Sequence, residues 1–96
     1  MRQAFIVSYD ISDPKRLRRV FKTMQGYGEH LQLSVFRCEL NQRELIELRT
    51  KLSKHIHHDE DQILFVDIGP ADGRGAGCIV ALGRAYLPPE RRVVVF

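Results

Sequence analysis

Residues Ala4 to Ile11 form an apolar run broken near its end by one carboxylate, Asp10, the pattern of a buried strand with a charge at its mouth. Ser12-Asp13-Pro14 then reads as a helix start, with Asp13 as N-cap and Pro14 at the first helical position. Leu17, Val20, Phe21 and Met24 recur at i, i+3, i+4 and i+7, which predicts a helix over about 14–26 with one core face, its arginines pointing away and Gly26 near its stop. Tyr27-Gly28 turns the chain into a strand-forming run, His30 to Leu40. Leu31, Leu33 and Val35 fall on one face, and Phe36, Cys38 and Leu40 on the other. Asn41-Gln42-Arg43-Glu44 has the form of a capping box and opens a second helix to about His57, with Leu45, Leu48, Leu52 and Ile56 as its buried stripe.

Past the acidic turn His58-Asp59-Glu60-Asp61, Ile63 to Ile68 reads as a further strand ended by Gly69-Pro70. A glycine-rich exposed loop to residue 77, a short strand Cys78–Leu82, the break Leu87-Pro88-Pro89-Glu90 and a last strand Arg92–Phe96 complete the chain. The expected fold class is α+β: a ferredoxin-like βαββαβ sandwich with an extra C-terminal strand and both helices on one sheet face. The opposite face stays bare. Apolar residues there make it a binding surface or a dimer interface, and the spare strand Val93-Val94-Val95-Phe96 suits the sheet edge of a second copy. A chain of 96 residues makes one domain, with a core over about 4–82 and a partner strand over about 91–96.

Charge changes the picture more than composition does. Residues 1–24 hold six basic and two acidic side chains, whereas residues 25–96 hold nine basic and ten acidic. The net charge of +3 is thus concentrated at the first strand and helix, where Lys15, Arg16, Arg18, Arg19 and Lys22 favour an anionic partner. A lone acid beside a basic helix suggests metal and phosphate. The other chemistry-bearing residues read as structural. Cys38 and Cys78 sit in apolar stretches as buried small side chains rather than a disulfide. His55, His57 and His58 have no zinc-like return spacing and mark a solvated helix end. Gly73-Arg74-Gly75-Ala76-Gly77 leads into a strand, not a helix, which argues for a flexible hairpin loop against a phosphate loop. No run approaches the roughly 20 apolar residues of a membrane span and no secretory signal is visible, so the cytoplasm is the expected compartment.

Three segments together carry a family likeness: Ser8-Tyr9-Asp10-Ile11, the Arg16-Leu17-Arg18-Arg19-Val20 helix, and Tyr27-Gly28-Glu29-His30-Leu31-Gln32-Leu33-Ser34-Val35-Phe36. The chain resembles the Cas2 family, the small subunit of the CRISPR adaptation machinery, well over about residues 4–68 and beyond that through Leu82-Gly83 and the terminal strand. Some relatives carry arginine where this chain has His30. The resemblance implies a homodimer whose final strand joins the partner's sheet, with two copies of Asp10 facing each other across the two-fold axis. A shared Mg²⁺ or Mn²⁺ between them is physically sensible, since Mg²⁺ takes one or two carboxylates, keeps several waters and coordinates phosphate oxygens. It also implies an endoribonuclease or endonuclease activity at Asp10 and Tyr9, with Ser34 and Phe36 shaping the approach of RNA or DNA. Its stronger implication is architectural: the dimer bridges integrase dimers during spacer acquisition. Lys15, Arg16, Arg18, Arg19 and Lys22 would contact the backbone of protospacer and repeat double-stranded DNA, and single-stranded RNA is a further candidate. Arg91 and Arg92, with Val93, Val94, Val95 and Phe96, would form the partner interface. A toxin-like ferredoxin-fold endoribonuclease of a toxin–antitoxin system is the alternative, against which the Gln32-x-Ser34-Val35-Phe36 segment weighs.

Overall fold

In the computed structural model, which describes residues 1–85, the chain runs β1 (Gln3–Asp10), α1 (Pro14–Gln25), β2 (Gly28–Gln32), β3 (Val35–Leu40), α2 (Gln42–Ser53), β4 (Gln62–Pro70) and a single 3₁₀ turn (Arg74–Ala76). The four strands are antiparallel in the order β2-β3-β1-β4, so the chain folds as a ferredoxin-like α+β sandwich.

Both helices start as their sequences dictate. The Asp13 carboxylate accepts the backbone N–H of Lys15 and Arg16 at 3.0 and 2.9 Å, and Pro14 occupies the first turn, where an N–H would go unused. Asn41 and Glu44 form the reciprocal capping box, at 2.8 Å from the Glu44 N–H and 2.9 Å from the Asn41 N–H. The second helix stops at Ser53 rather than near His57.

Strand parity sorts the core. Phe5, Val7 and Tyr9 of β1 and Phe36, Cys38 and Leu40 of β3 point to the helices, where Val20 and Met24 of α1 and Leu48 and Leu52 of α2 close over them. Ile63 and Phe65 extend this layer along β4. Burial drives the Cys38 thiol up to about 12, which leaves it an inert small apolar group.

Three expectations are corrected. His30 to Leu40 is not one strand but the β2–β3 hairpin, turning at Leu33 and Ser34. Its middle pairs with itself because Leu33 takes a left-handed φ of 28°, a conformation that no residue periodicity announces. The glycine-rich segment is not an open hairpin loop. It folds onto the bare sheet face, where a Cβ on Gly75 would lie 2.6 Å from Ala4 Cβ and 2.9 Å from the Pro70 carbonyl oxygen, and its carbonyl accepts Nη2 of the buried Arg37 at 2.8 Å. Residues 78–82 pair with no strand of the described sheet, and Cys78, Val80 and Leu82 are exposed. The partner strand expected over 91–96 lies outside the described residues.

Gly28 sits where β2 meets β3, and a side chain there would collide with Cys38 Sγ and stand 2.6 Å from the Arg37 carbonyl oxygen. Gly28→Ala is expected to destabilise the domain by about 1–3 kcal/mol, read as a lower urea midpoint with an unchanged m-value. An unshifted midpoint would mean that the hairpin yields freely.

Candidate nucleic-acid and metal site

Asp10 closes β1, paired in register with Gln62 of β4. It shares its parity with Ala4, Ile6 and Ser8, the residues of the face that the helices leave uncovered. Its side chain is exposed, and its carboxylate makes no hydrogen bond or ion pair among the described residues. Tyr9 points the other way, into the core, and is 4% exposed. Burial raises its phenol pKa, so the hydroxyl stays protonated at neutral pH and is suited to donating a hydrogen bond rather than to attacking. Its backbone N–H donates to the Ser34 carbonyl at 3.0 Å, which ties the β2–β3 turn to the end of β1.

These elements enclose an open cleft of about 640 Å³, lined by Tyr9, Asp10, Ile11, Leu17, Arg18 and Ser34 among others. Tyr9, Asp10, Arg18 and Ser34 of the expected site therefore converge. Phe36 does not join them. It has no exposed surface and stands at the centre of an aromatic cluster, with ring centroids 5.6 Å from Phe21, 6.2 Å from Tyr9 and 5.0 Å from His30. Expected among the residues that bind nucleic acid and shape its approach, Phe36 exposes no surface to a ligand in this protomer and packs behind Tyr9 and Phe21. Leu17, expected in the core, is 40% exposed at the cleft wall.

The five basic residues of α1 divide into two sets. Lys15, Arg18, Arg19 and Lys22 are exposed and follow i, i+3, i+4 and i+7, one stripe on the side opposite Val20 and Met24. Arg16 lies on the flank between them and is committed elsewhere. Its Nε donates to Asp61 Oδ2 at 2.8 Å and its Nη2 to Asp61 Oδ1 and Glu60 Oε1, both at 3.3 Å. The Asp61 side chain has no exposed surface. It also accepts the Ser12 N–H at 3.0 Å, the Ser12 hydroxyl at 3.2 Å and the His57 N–H at 2.8 Å. The Arg16 guanidinium first, and these backbone donors after it, hold the Asp61 carboxyl far below the usual carboxylate range. Arg16 is therefore structural in the first instance.

Sequence reasoning passed over Asp61. Within His58-Asp59-Glu60-Asp61 nothing local separates it from the two acids before it; its one signal is that it directly precedes the strand that pairs with Asp10. Of the three histidines expected at a solvated helix end, His57 and His58 are exposed beyond the end of α2 and His55 is half-buried there. Among the described residues no group of three or more His, Cys, Asp or Glu converges as a metal cage, and no helix is long and apolar enough to cross a membrane. In this cleft one protomer offers a single carboxylate, Asp10. That donor fits a water-rich Mg²⁺ shell if a second copy supplies its equal.

Comparison with known proteins decides the family. The model of the CRISPR associated protein Cas2 family matches residues 3–73. The chain belongs to the Cas2 family. It is similar to the CRISPR-associated endoribonuclease Cas2 1 of Rhodospirillum rubrum, at 42% identity over 96% of this chain and 89% of that one. The CRISPR-associated endoribonuclease Cas2 of Geobacter sulfurreducens is 39% identical over 99% of both chains. The crystal structure of Streptococcus pyogenes Cas2 superposes with a TM-score of 0.72 at 30% identity, over 83% of this chain and 99% of that one. Cas2 membership thus favours the CRISPR reading of this chain over the toxin–antitoxin alternative.

The depressed Asp61 carboxyl makes stability depend on acid. A carboxylate with a lowered folded-state pKa contributes stability that is complete above its unfolded value, about 4, and is lost as pH falls below that value toward the folded one. Asp61→Asn is therefore expected to be less stable than the parent by a constant margin between pH 5 and 7. The margin should narrow steadily below pH 4, measured by urea titration at each pH. A margin that stayed constant down to pH 2 would assign the loss to packing instead of charge.

Proposed function

We propose that this protein acts in CRISPR adaptation as a homodimer whose uncovered sheet faces meet, bringing the two Asp10 carboxylates together on the dimer axis. The observation that carries this reading is the unpartnered Asp10 at the end of the open face, beside a stripe of four exposed cations. Leu64 and Val66 of β4, 50% and 48% exposed, share that face with Ile6 and supply apolar surface for a partner. The outer edge of β4 has no neighbour in the described sheet. It suits the partner's terminal strand Val93 to Phe96, with Arg91 and Arg92 at its base.

The paired carboxylates would hold one Mg²⁺ or Mn²⁺, which supplies Lewis acidity and an activated water when bound. Without it, two close carboxylates repel each other. Arg18 lines the Asp10 cleft and holds a phosphate of the strand there, while the Tyr9 hydroxyl remains a proton donor below it. Nuclease action on RNA follows the names of the two bacterial relatives. Among the described residues neither a second acid nor a histidine lines the Asp10 cleft, and we take cleavage as the minor activity. The main role is that of a scaffold in the cytoplasm: doubled by symmetry, Lys15, Arg18, Arg19 and Lys22 grip the backbone of protospacer DNA while the dimer bridges integrase subunits, reading shape and charge with no base preference.

Two measurements test the two halves. Asp10→Asn is expected to abolish Mg²⁺-dependent cleavage while sedimentation still reports a dimer and spacer acquisition persists; cleavage at the parental rate would remove Asp10 from the chemistry. Replacing Arg18 and Arg19 by alanine deletes four charges per dimer and is expected to flatten the slope of log K against log salt by up to about 3–4, since each phosphate left without its cation accounts for about 0.9. An identical slope would take α1 out of the DNA path.

A further inference from the structure

The Asp10 carboxylate has no hydrogen bond or ion pair among the described residues, yet the chain after it and the strand beside it are pinned by one side chain. Two residues after Asp10, both the backbone N–H and the hydroxyl of Ser12 bind Asp61 Oδ1. Directly after Asp61 comes Gln62, the register partner of Asp10. The same carboxylate takes the N–H of His57 from the turn behind α2 and the forked guanidinium of Arg16 from the first turn of α1. Three separate segments, the β1–α1 connection, the start of α1 and the α2–β4 turn, thus meet at one buried group beside the strand end that presents Asp10.

We infer that Asp61, locked by Arg16, is a positioning residue for the Asp10 carboxylate, and that releasing this clamp loosens the mouth of β1 without unfolding the sheet. The inference rests on the reading of Asp10 as the working carboxylate, but its mechanical content does not. The chemistry of the site makes the clamp sensitive to a single atom. Every group bound to Asp61 is a donor, so an amide in its place sets its own NH₂ against either Arg16 Nε and the His57 N–H or the two Ser12 donors. The remainder of β1 is held independently, by ladders to β3 over Gln3–Ser8 and to β4 over Gln3–Tyr9, and by the core beneath Phe5 and Val7, whereas the last rung, Asp10 with Gln62, adjoins the clamp. Loss of order is therefore confined to Asp10, Ile11 and Ser12, of which Ile11 alone has a side chain in the core.

The test compares Asp61→Asn and Arg16→Lys with Leu52→Ala, a core truncation in α2 that destabilises the domain without touching the clamp. In metal-free protein, backbone ¹⁵N order parameters at Asp10 and Ile11 are expected to fall from the rigid range near 0.85 toward about 0.6 in Asp61→Asn, and part of the way in Arg16→Lys. Val7 and Phe36 should be unchanged, and Leu52→Ala should leave Asp10 ordered. Mn²⁺ affinity of the dimer, followed by electron paramagnetic resonance, is expected to drop about 10-fold or more in Asp61→Asn, the scale seen when a group supporting a ligand is removed. Parental order at Asp10 in both clamp variants overturns the inference, and so does equal loosening in Leu52→Ala. Should the parent itself fail to bind Mn²⁺ in an Asp10-dependent way, the metal reading falls, while the order parameters still decide whether Asp61 holds Asp10. If Asp61→Asn does not fold, Arg16→Lys carries the same comparison.

Discussion

A carboxylate with no exposed surface has given up its hydration and must recover it from the protein, and Asp61 does so from five donor atoms on three residues, Ser12, Arg16 and His57. The sheet and helices hold without it as far as their apolar faces go, since Phe5, Val7, Phe36, Val20, Met24, Leu48 and Leu52 form one continuous core. The core reaches the polar end of the domain, where β1 gives way to α1 and α2 returns to β4, only through Ile11 and Ile56. There the chain has backbone N–H groups and the Ser12 hydroxyl to satisfy. One acid satisfies several of them at once, and the arginine that neutralises it is drawn from the basic helix.

That exchange sharpens the charge pattern of α1. With Arg16 turned to the interior acid, the four remaining cations fall on a single stripe opposite the buried face. A helix that reads as basic all round its polar side is in the fold a narrow cationic edge, with Arg18 reaching the cleft beside Asp10. Anions meeting this edge would encounter a line of charge about two turns long, a geometry suited to a phosphate backbone more than to a compact ligand.

The open face carries the complementary division. At one end the turn around Gly75 covers Ala4 and caps Arg37 through its carbonyl; toward the other, Leu64 and Val66 remain half exposed and the parity of β1 brings Asp10 onto the same side. A face sealed at one end and apolar toward the other has a direction. Docking of a second copy would bury Leu64 and Val66 with Asp10 nearby, so that a lone acid on each chain becomes a pair.

Much of this was legible in the sequence, and for reasons that are local. Helix starts depend on residues within a turn of one another, so Asp13-Pro14 and the Asn41/Glu44 box announced both helices correctly. The period-two run of β1 likewise gave its core face, and the Tyr9-Asp10, Arg-rich helix and Gln32-x-Ser34-Val35-Phe36 segments together marked the family. The hairpin at Leu33, the seating of Gly75 on Ala4 and the burial of Phe36 were not legible in that way, because each depends on which surface the chain meets after folding. Asp61 shows the difference most plainly. By itself the sequence determined that an acid stands before β4, but only the tertiary structure chose it over Asp59 and Glu60, because a carboxylate becomes a clamp only when distant segments bring their donors to it.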